Sequence, residues 1–169
     1  FKEILAQERG LPLWESFDFE IDLMVLNPAR EYEQWIDAGA SRIIFHYREK
    51  EMEALKEIMQ KTKDRNVETG IALHLSDPIE AVEPFKDMIA SIQLMGIERI
   101  GFQGQLFDER VLEKIRAIKS AYPEIPVGVD GGVNFDTAPL LAKAGADRLV
   151  IGSAIFNDVD VVEAISYFE

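Results

Sequence analysis

One nine-residue phrase occurs twice in the chain, as Asp37-Ala-Gly-Ala-Ser-Arg-Ile-Ile-Phe45 and as Lys143-Ala-Gly-Ala-Asp-Arg-Leu-Val-Ile151. Each copy reads as the end of a helix, a glycine at the position just past it, and an apolar strand. A chain that repeats helix end, turn and buried strand is assembled from βα units. The predicted strands are Phe19–Leu26, Arg42–Tyr47, Gly70–Leu75, Ser91–Ile97, Val127–Asp130 and Arg148–Ile151. They are nearly all apolar instead of alternating, as in a parallel sheet covered on both faces. The segments between them carry apolar residues at helical spacing, for example Val111, Leu112, Ile115 and Ile118. A looser echo of the phrase, Met95-Gly-Ile-Glu-Arg-Ile-Gly-Phe102, offers a second register for the fourth strand, Ile97–Phe102, after a longer helix through Ile79, Val82, Ile89, Ile92 and Met95. In both registers Gly101–Gln105 falls at or just past the C-terminal end of that strand.

The count of six units is unusual. A closed parallel barrel has eight strands and about 250 residues, whereas this chain has 169 and opens on a helix-like stretch, Phe1 to Arg9, with no strand before it. Two architectures fit the pattern: an open α/β sheet, or a barrel short of about two units at its N-terminus. Either way the length is that of a single domain, residues 1–169.

Chemistry concentrates in two glycine turns. Val127 to Val129 runs into Asp130-Gly131-Gly132, and Leu149 to Ile151 runs into Gly152-Ser153. Glycines at a strand end let a ligand approach bare backbone N–H groups, and a following helix favours an anion. Two such turns in consecutive units, one led by a carboxylate, describe a phosphate clamp beside an acid/base group. Taken singly, a Gly-Gly reads as an ordinary tight turn before it reads as a ligand site. The net charge of −13, from 18 basic and 31 acidic residues, argues against nucleic acid or an anionic membrane as partner. No apolar run is long enough to span a bilayer and no leader-like segment opens the chain. The absence of cysteine excludes thiol chemistry and fits a cytoplasmic location.

These residues, taken in order, resemble the ribulose-phosphate 3-epimerase family of (β/α)8 barrels. The matching pieces are Ile21-Asp-Leu-Met-Val-Leu-Asn-Pro28, Phe45-His46, Gly101-Phe-Gln-Gly-Gln-Leu-Phe107, Val129-Asp-Gly-Gly-Val-Asn134 and Gly152-Ser-Ala-Ile-Phe156. The resemblance implies an α/β fold of the TIM-barrel type with about six of eight units visible, the first two strands being absent. It implies a sugar-phosphate substrate and proton transfer at C3 of a ketopentose phosphate through an enediolate, assisted by a divalent metal (Zn, Mn, Fe or Mg) and by no organic cofactor. Asp130 matches the family's aspartate on the seventh strand, as acid/base and metal ligand. Asp22 stands where the family motif has a metal-binding histidine. Gly101, Phe102, Gln103 and Gly104 match the phosphate loop, with Gln103 replacing a glycine, and Gly131, Gly132, Gly152 and Ser153 match unchanged. Met24 matches a position lining the sugar pocket. The second acid/base and two further metal ligands are expected on the absent second strand.

Other residues have plainer readings. His46 and His74, near strand ends, read as satisfied histidines before they read as substitute ligands. Asp77-Pro78 and Asp108 read as helix caps, Glu49 to Glu57 as a charged helix face, and Trp14 and Trp35 as packing residues. Two classes of function remain open: an epimerase, or a non-catalytic phosphate-binding paralogue or barrel fragment. The latter would need a homo-oligomer or partner to cover its open sheet edges. A hexulose-phosphate synthase or decarboxylase fits less well, because no lysine lies near the end of the Asp22 strand.

Overall fold

The computed structural model describes residues 10–98 and 106–168, which form six strands separated by helical segments. The strands are β1 (Glu20–Leu23), β2 (Arg42–His46), β3 (Glu68–Leu73), β4 (Ser91–Met95), β5 (Val127–Asp130) and β6 (Arg148–Val150). The α-helices are α1 (Tyr32–Asp37), α2 (Met52–Asp64), α3 (Arg110–Ala121), α4 (Ala138–Ala144), α5 (Ser153–Phe156) and α6 (Val161–Phe168). A 3-10 segment, Ile79–Phe85, replaces an α-helix between β3 and β4. The fold class is α/β, with six of the eight βα units of a TIM-type barrel. The expected helix at Phe1 to Arg9 and the expected phosphate loop Gly101–Gly104 lie outside the described residues.

Two compact units share the chain: Phe1–Ala72 with Ala81–Ala90, and Leu73–Glu80 with Ser91–Glu169. In the first, β1 pairs parallel to β2 and β2 parallel to β3, with Asp22 beside Ile44 and His46 beside Ala72. Ile43, Ile44, Phe45 and Ile71 are sealed from solvent, along with Leu55 and Met59 of α2. In the second unit, β4 pairs parallel to β5 and β5 parallel to β6, aligning Met95 with Asp130 and Asp130 with Val150. Ile92, Leu94, Val127 and Val129 form its core with Val111, Ile115 and Ile118 of α3. Burying side chains of this size gives roughly 1.5–3 kcal/mol each.

The fourth strand takes the earlier of its two registers. Gly96 does not open a helix-to-strand turn there; its N–H continues the ladder by donating to the Asp130 carbonyl at 2.7 Å. The two glycines of the repeated phrase do close turns, with φ of +100° at Gly39 and +107° at Gly145. Trp35 is buried as expected, whereas Trp14 is 55% exposed and covers Gly39 with one edge. Asp108 Oδ1 accepts the Arg110 N–H at 3.0 Å, so it caps α3. Asp77 points the other way: its Oδ2 accepts the His74 N–H at 2.7 Å and closes the turn after β3.

Candidate functional site

In the first unit the C-terminal ends of β1 and β2 carry one polar pair. Asp22 and Ile44 are ladder partners, so Asp22 and His46 emerge on the same face of neighbouring strands. Asp22 Oδ1 lies 2.6 Å from His46 Nε2, with the imidazole largely covered. Met24, two residues beyond Asp22, is 44% exposed. The loop behind it is held by Arg48, which donates to the carbonyls of Val25 and Leu26 and pairs with Glu51.

That pairing bears on the implied metal. One oxygen of Asp22 is engaged by an imidazole from the adjacent strand, and among the described residues no three His, Asp or Glu side chains converge on a common point. Among the described residues the donor set does not make a metal site.

The second unit gathers the backbone-rich turns. Asp130 ends β5, and Gly131 and Gly132 follow with φ of +90° and +72°, a conformation that suits glycine. Both are walled in by their own chain. A Cβ on Gly131 would stand 2.9 Å from Ile97 Cγ1, and one on Gly132 would stand 3.0 Å from Phe107 Cα. Gly96 is tighter still, since its Cβ would fall 2.2 Å from the Gly131 carbonyl oxygen. Thr137 Oγ1 donates to the Gly132 carbonyl at 2.8 Å, and Asn134 Oδ1 accepts the N–H groups of Asp136 and Thr137. The turn is therefore fixed at both ends.

Gly152 and Ser153, beyond β6, are built differently. Asp130 pairs with Val150 at the end of the β5–β6 ladder, and Gly152 follows two residues beyond Val150. The Gly152 φ of −112° is outside the left-handed region, and among the described residues a Cβ there would meet nothing within 4 Å. Among the described residues, no side chain or backbone fills the space that a Cβ at this position would take.

Lys114 had no expected role. It sits on α3 within the apolar stripe of Val111, Ile115 and Ile118, and only 9% of it is exposed. Burial lowers its pKa from the usual lysine value, with the charge of Asp77 pulling the other way. Its ammonium donates to the carbonyls of His74, Leu75 and Asp77. A lysine interrupting an apolar stripe was the sequence signal for it.

The profile of the ribulose-phosphate 3 epimerase family matches residues 7–156. Ribulose-phosphate 3-epimerase of Schizosaccharomyces pombe is 36% identical over 152 residues, covering 90% of this chain and 65% of its own length. The cytoplasmic isoform of Oryza sativa is 35% identical over 146 residues, covering 85% and 64%. The chain thus spans just under two thirds of these relatives. Among solved structures, 3-hexulose-6-phosphate synthase from Salmonella typhimurium superposes with a TM-score of 0.74 at 14% identity, over 92% of this chain and 72% of that one. That likeness concerns the fold alone.

Proposed function

Because the chain belongs to the ribulose-phosphate 3-epimerase family, we propose that it binds a ketopentose phosphate and transfers the proton at C3. Asp130 is the acid/base of this reading. Its carboxylate removes the C3 proton, the C–H electrons form the C2–C3 double bond, and the C2 carbonyl becomes the enediolate oxygen. Return of a proton to the opposite face of C3, from a second acid other than Asp130, gives the epimer. Gly131, Gly132, Gly152 and Ser153 hold the phosphate through backbone N–H groups, and the loop Gly101, Phe102, Gln103 and Gly104 belongs to the same set by sequence match. Met24 lines the sugar.

The observation that carries this reading is the placement of Asp130 at a strand end, paired with Val150 two residues before Gly152, where a Cβ would meet no described residue. Backbone donors suit an acidic protein, because the field of a −13 chain repels an anion that only local N–H groups then retain.

Exchange of the C3 proton of ribulose 5-phosphate with D2O reads the half-reaction assigned to Asp130. Asp130→Asn is expected to lower the exchange rate by about 10²–10⁴. Exchange that persists at the unsubstituted rate would remove Asp130 from the mechanism.

A second reading has its own support. The Asp22–His46 pair, with no three-ligand cluster among the described residues, favours a phosphate-binding chain that does not turn over alone. Phosphate binding without C3 exchange would select it. Self-association belongs to both readings: among the described residues β6 pairs with β5 alone, and Val150, Phe156 and Val162 nearby are exposed. A cytoplasmic location is likewise part of the proposal, supported by the absence of cysteine and by the name of the Oryza relative. No helix among the described residues is long and apolar enough to cross a membrane.

A further inference from the structure

A closed circuit of bonds runs behind the Asp130–Gly132 turn, and a buried charge stands at its start. Lys114 donates to three carbonyls of the segment after β3: His74, Leu75 and Asp77. His74 then reaches across to the carbonyl of Glu98 through Nε2. A carbonyl only accepts, so Nε2 carries the proton, and Nδ1 is left to face the Ser76 hydroxyl at 3.0 Å and its N–H at 3.4 Å.

Glu98 follows Ile97, whose side chain covers Gly131. Gly96, one residue earlier, donates to the Asp130 carbonyl at 2.7 Å and accepts from the Asp108 N–H at 2.9 Å. Asp108 caps the helix that carries Lys114, and the circuit closes. All of these groups belong to the second unit.

An ammonium in an apolar stripe is a costly way to fill space, since a hydrophobe of similar volume is often as stable or more so. What the ammonium does that a hydrophobe cannot is draw three carbonyls to one point and fix the backbone of residues 74–77. Fixing that backbone aims His74 at Glu98.

We propose that Lys114 is a positioning residue for the Asp130–Gly132 turn, acting through the carbonyls of His74, Leu75 and Asp77 and the His74–Glu98 bond. The proposal rests on the reading of that turn as the sugar-phosphate site. Lys114 does not touch substrate; it sets where the β4 exit lies beneath the turn.

The test uses the whole chain, inorganic phosphate as probe, and two readouts: phosphate affinity by calorimetry and amide hydrogen exchange at Gly96. Lys114→Met and His74→Leu are each expected to weaken phosphate about tenfold, and the double variant to weaken it by about the same tenfold, because residues of one circuit are not additive. Gly96 exchanges faster in all three, while Ile44, in the core of the first unit, keeps its protection. Lys114→Arg, which retains a cation, recovers most of the affinity.

Unchanged phosphate affinity and Gly96 exchange in Lys114→Met would overturn the proposal. So would a double variant weakened about a hundredfold, the product of two independent effects. Loss of protection at Ile44 in step with Gly96 would overturn it too, as that reports general unfolding. If the unsubstituted chain binds no phosphate, the functional reading of the turn fails, and Gly96 exchange still decides whether Lys114 holds it.

Discussion

The turns after β5 and β6 contain similar residues and are built on opposite principles. After β5, two glycines adopt left-handed conformations, are packed beneath Ile97 and Phe107, and are tied down by Thr137 and Asn134. After β6, Gly152 has a negative φ and, among the described residues, open space where a Cβ would stand. The first turn needs glycine to fold. The second meets no such crowding among the described residues, and the proposed function assigns its glycine to the phosphate. A glycine-rich strand end is thus two signals in one, and only the surroundings of the missing Cβ separate them.

Substitutions of single glycines test this contrast most sharply. Gly96→Ala forces a methyl group against the Gly131 carbonyl, 2.2 Å away, and is expected to cost about 3 kcal/mol or more, because backbone must move. Urea denaturation measures it. Gly131→Ala combines a strained φ of +90° with pressure on Ile97 and should cost about 1–3 kcal/mol. Gly152→Ala should change stability by less than about 0.5 kcal/mol while weakening phosphate binding about tenfold, a factor worth ~1.4 kcal/mol. A Gly152→Ala variant that unfolds easily but still binds phosphate would erase the distinction.

The smallest expected effect concerns how β6 is held beside β5. Asp147 accepts the Val127 N–H at 2.8 Å and pairs with Lys119 at 2.9 Å. Burial raises its carboxyl, but the Val127 N–H and Lys119 outweigh that and hold it below the usual range. A depressed carboxyl contributes stability that is present above the unfolded carboxylate range and lost as pH falls through its folded value. Acid titration should therefore loosen β6 at the low end of that range, read as faster amide exchange at Val127. Asp147→Asn should flatten this pH dependence with little change at neutral pH.

Much of this arrangement was legible in the residues. The repeated helix end, glycine and strand located β2 and β6, and the left-handed Gly39 and Gly145 are what that phrase encodes. The register of the fourth strand was not settled by pattern, because Gly96 fits a turn or a strand end equally well. The neighbouring backbone of Asp130 decides it. Asp22 and His46 were each visible as strand-end residues, yet their bond depends on how β1 aligns with β2, which no local pattern reports. Trp14 shows the same limit from the other side: an aromatic residue reads as core, but it lies largely exposed against Gly39. Lys114 was detectable as a charge within an apolar stripe, although only the fold shows the carbonyls of His74 and Asp77 that its side chain reaches.

Amide chemical shifts during a titration with ribulose 5-phosphate test the central claim most directly. The account predicts shifts at Gly152 and Ser153 together with Gly131 and Gly132, all saturating at one concentration, and their loss in Gly152→Ala while the fold is retained. Shifts that leave Gly152 and Ser153 unmoved, or that survive Gly152→Ala at full affinity, would contradict it.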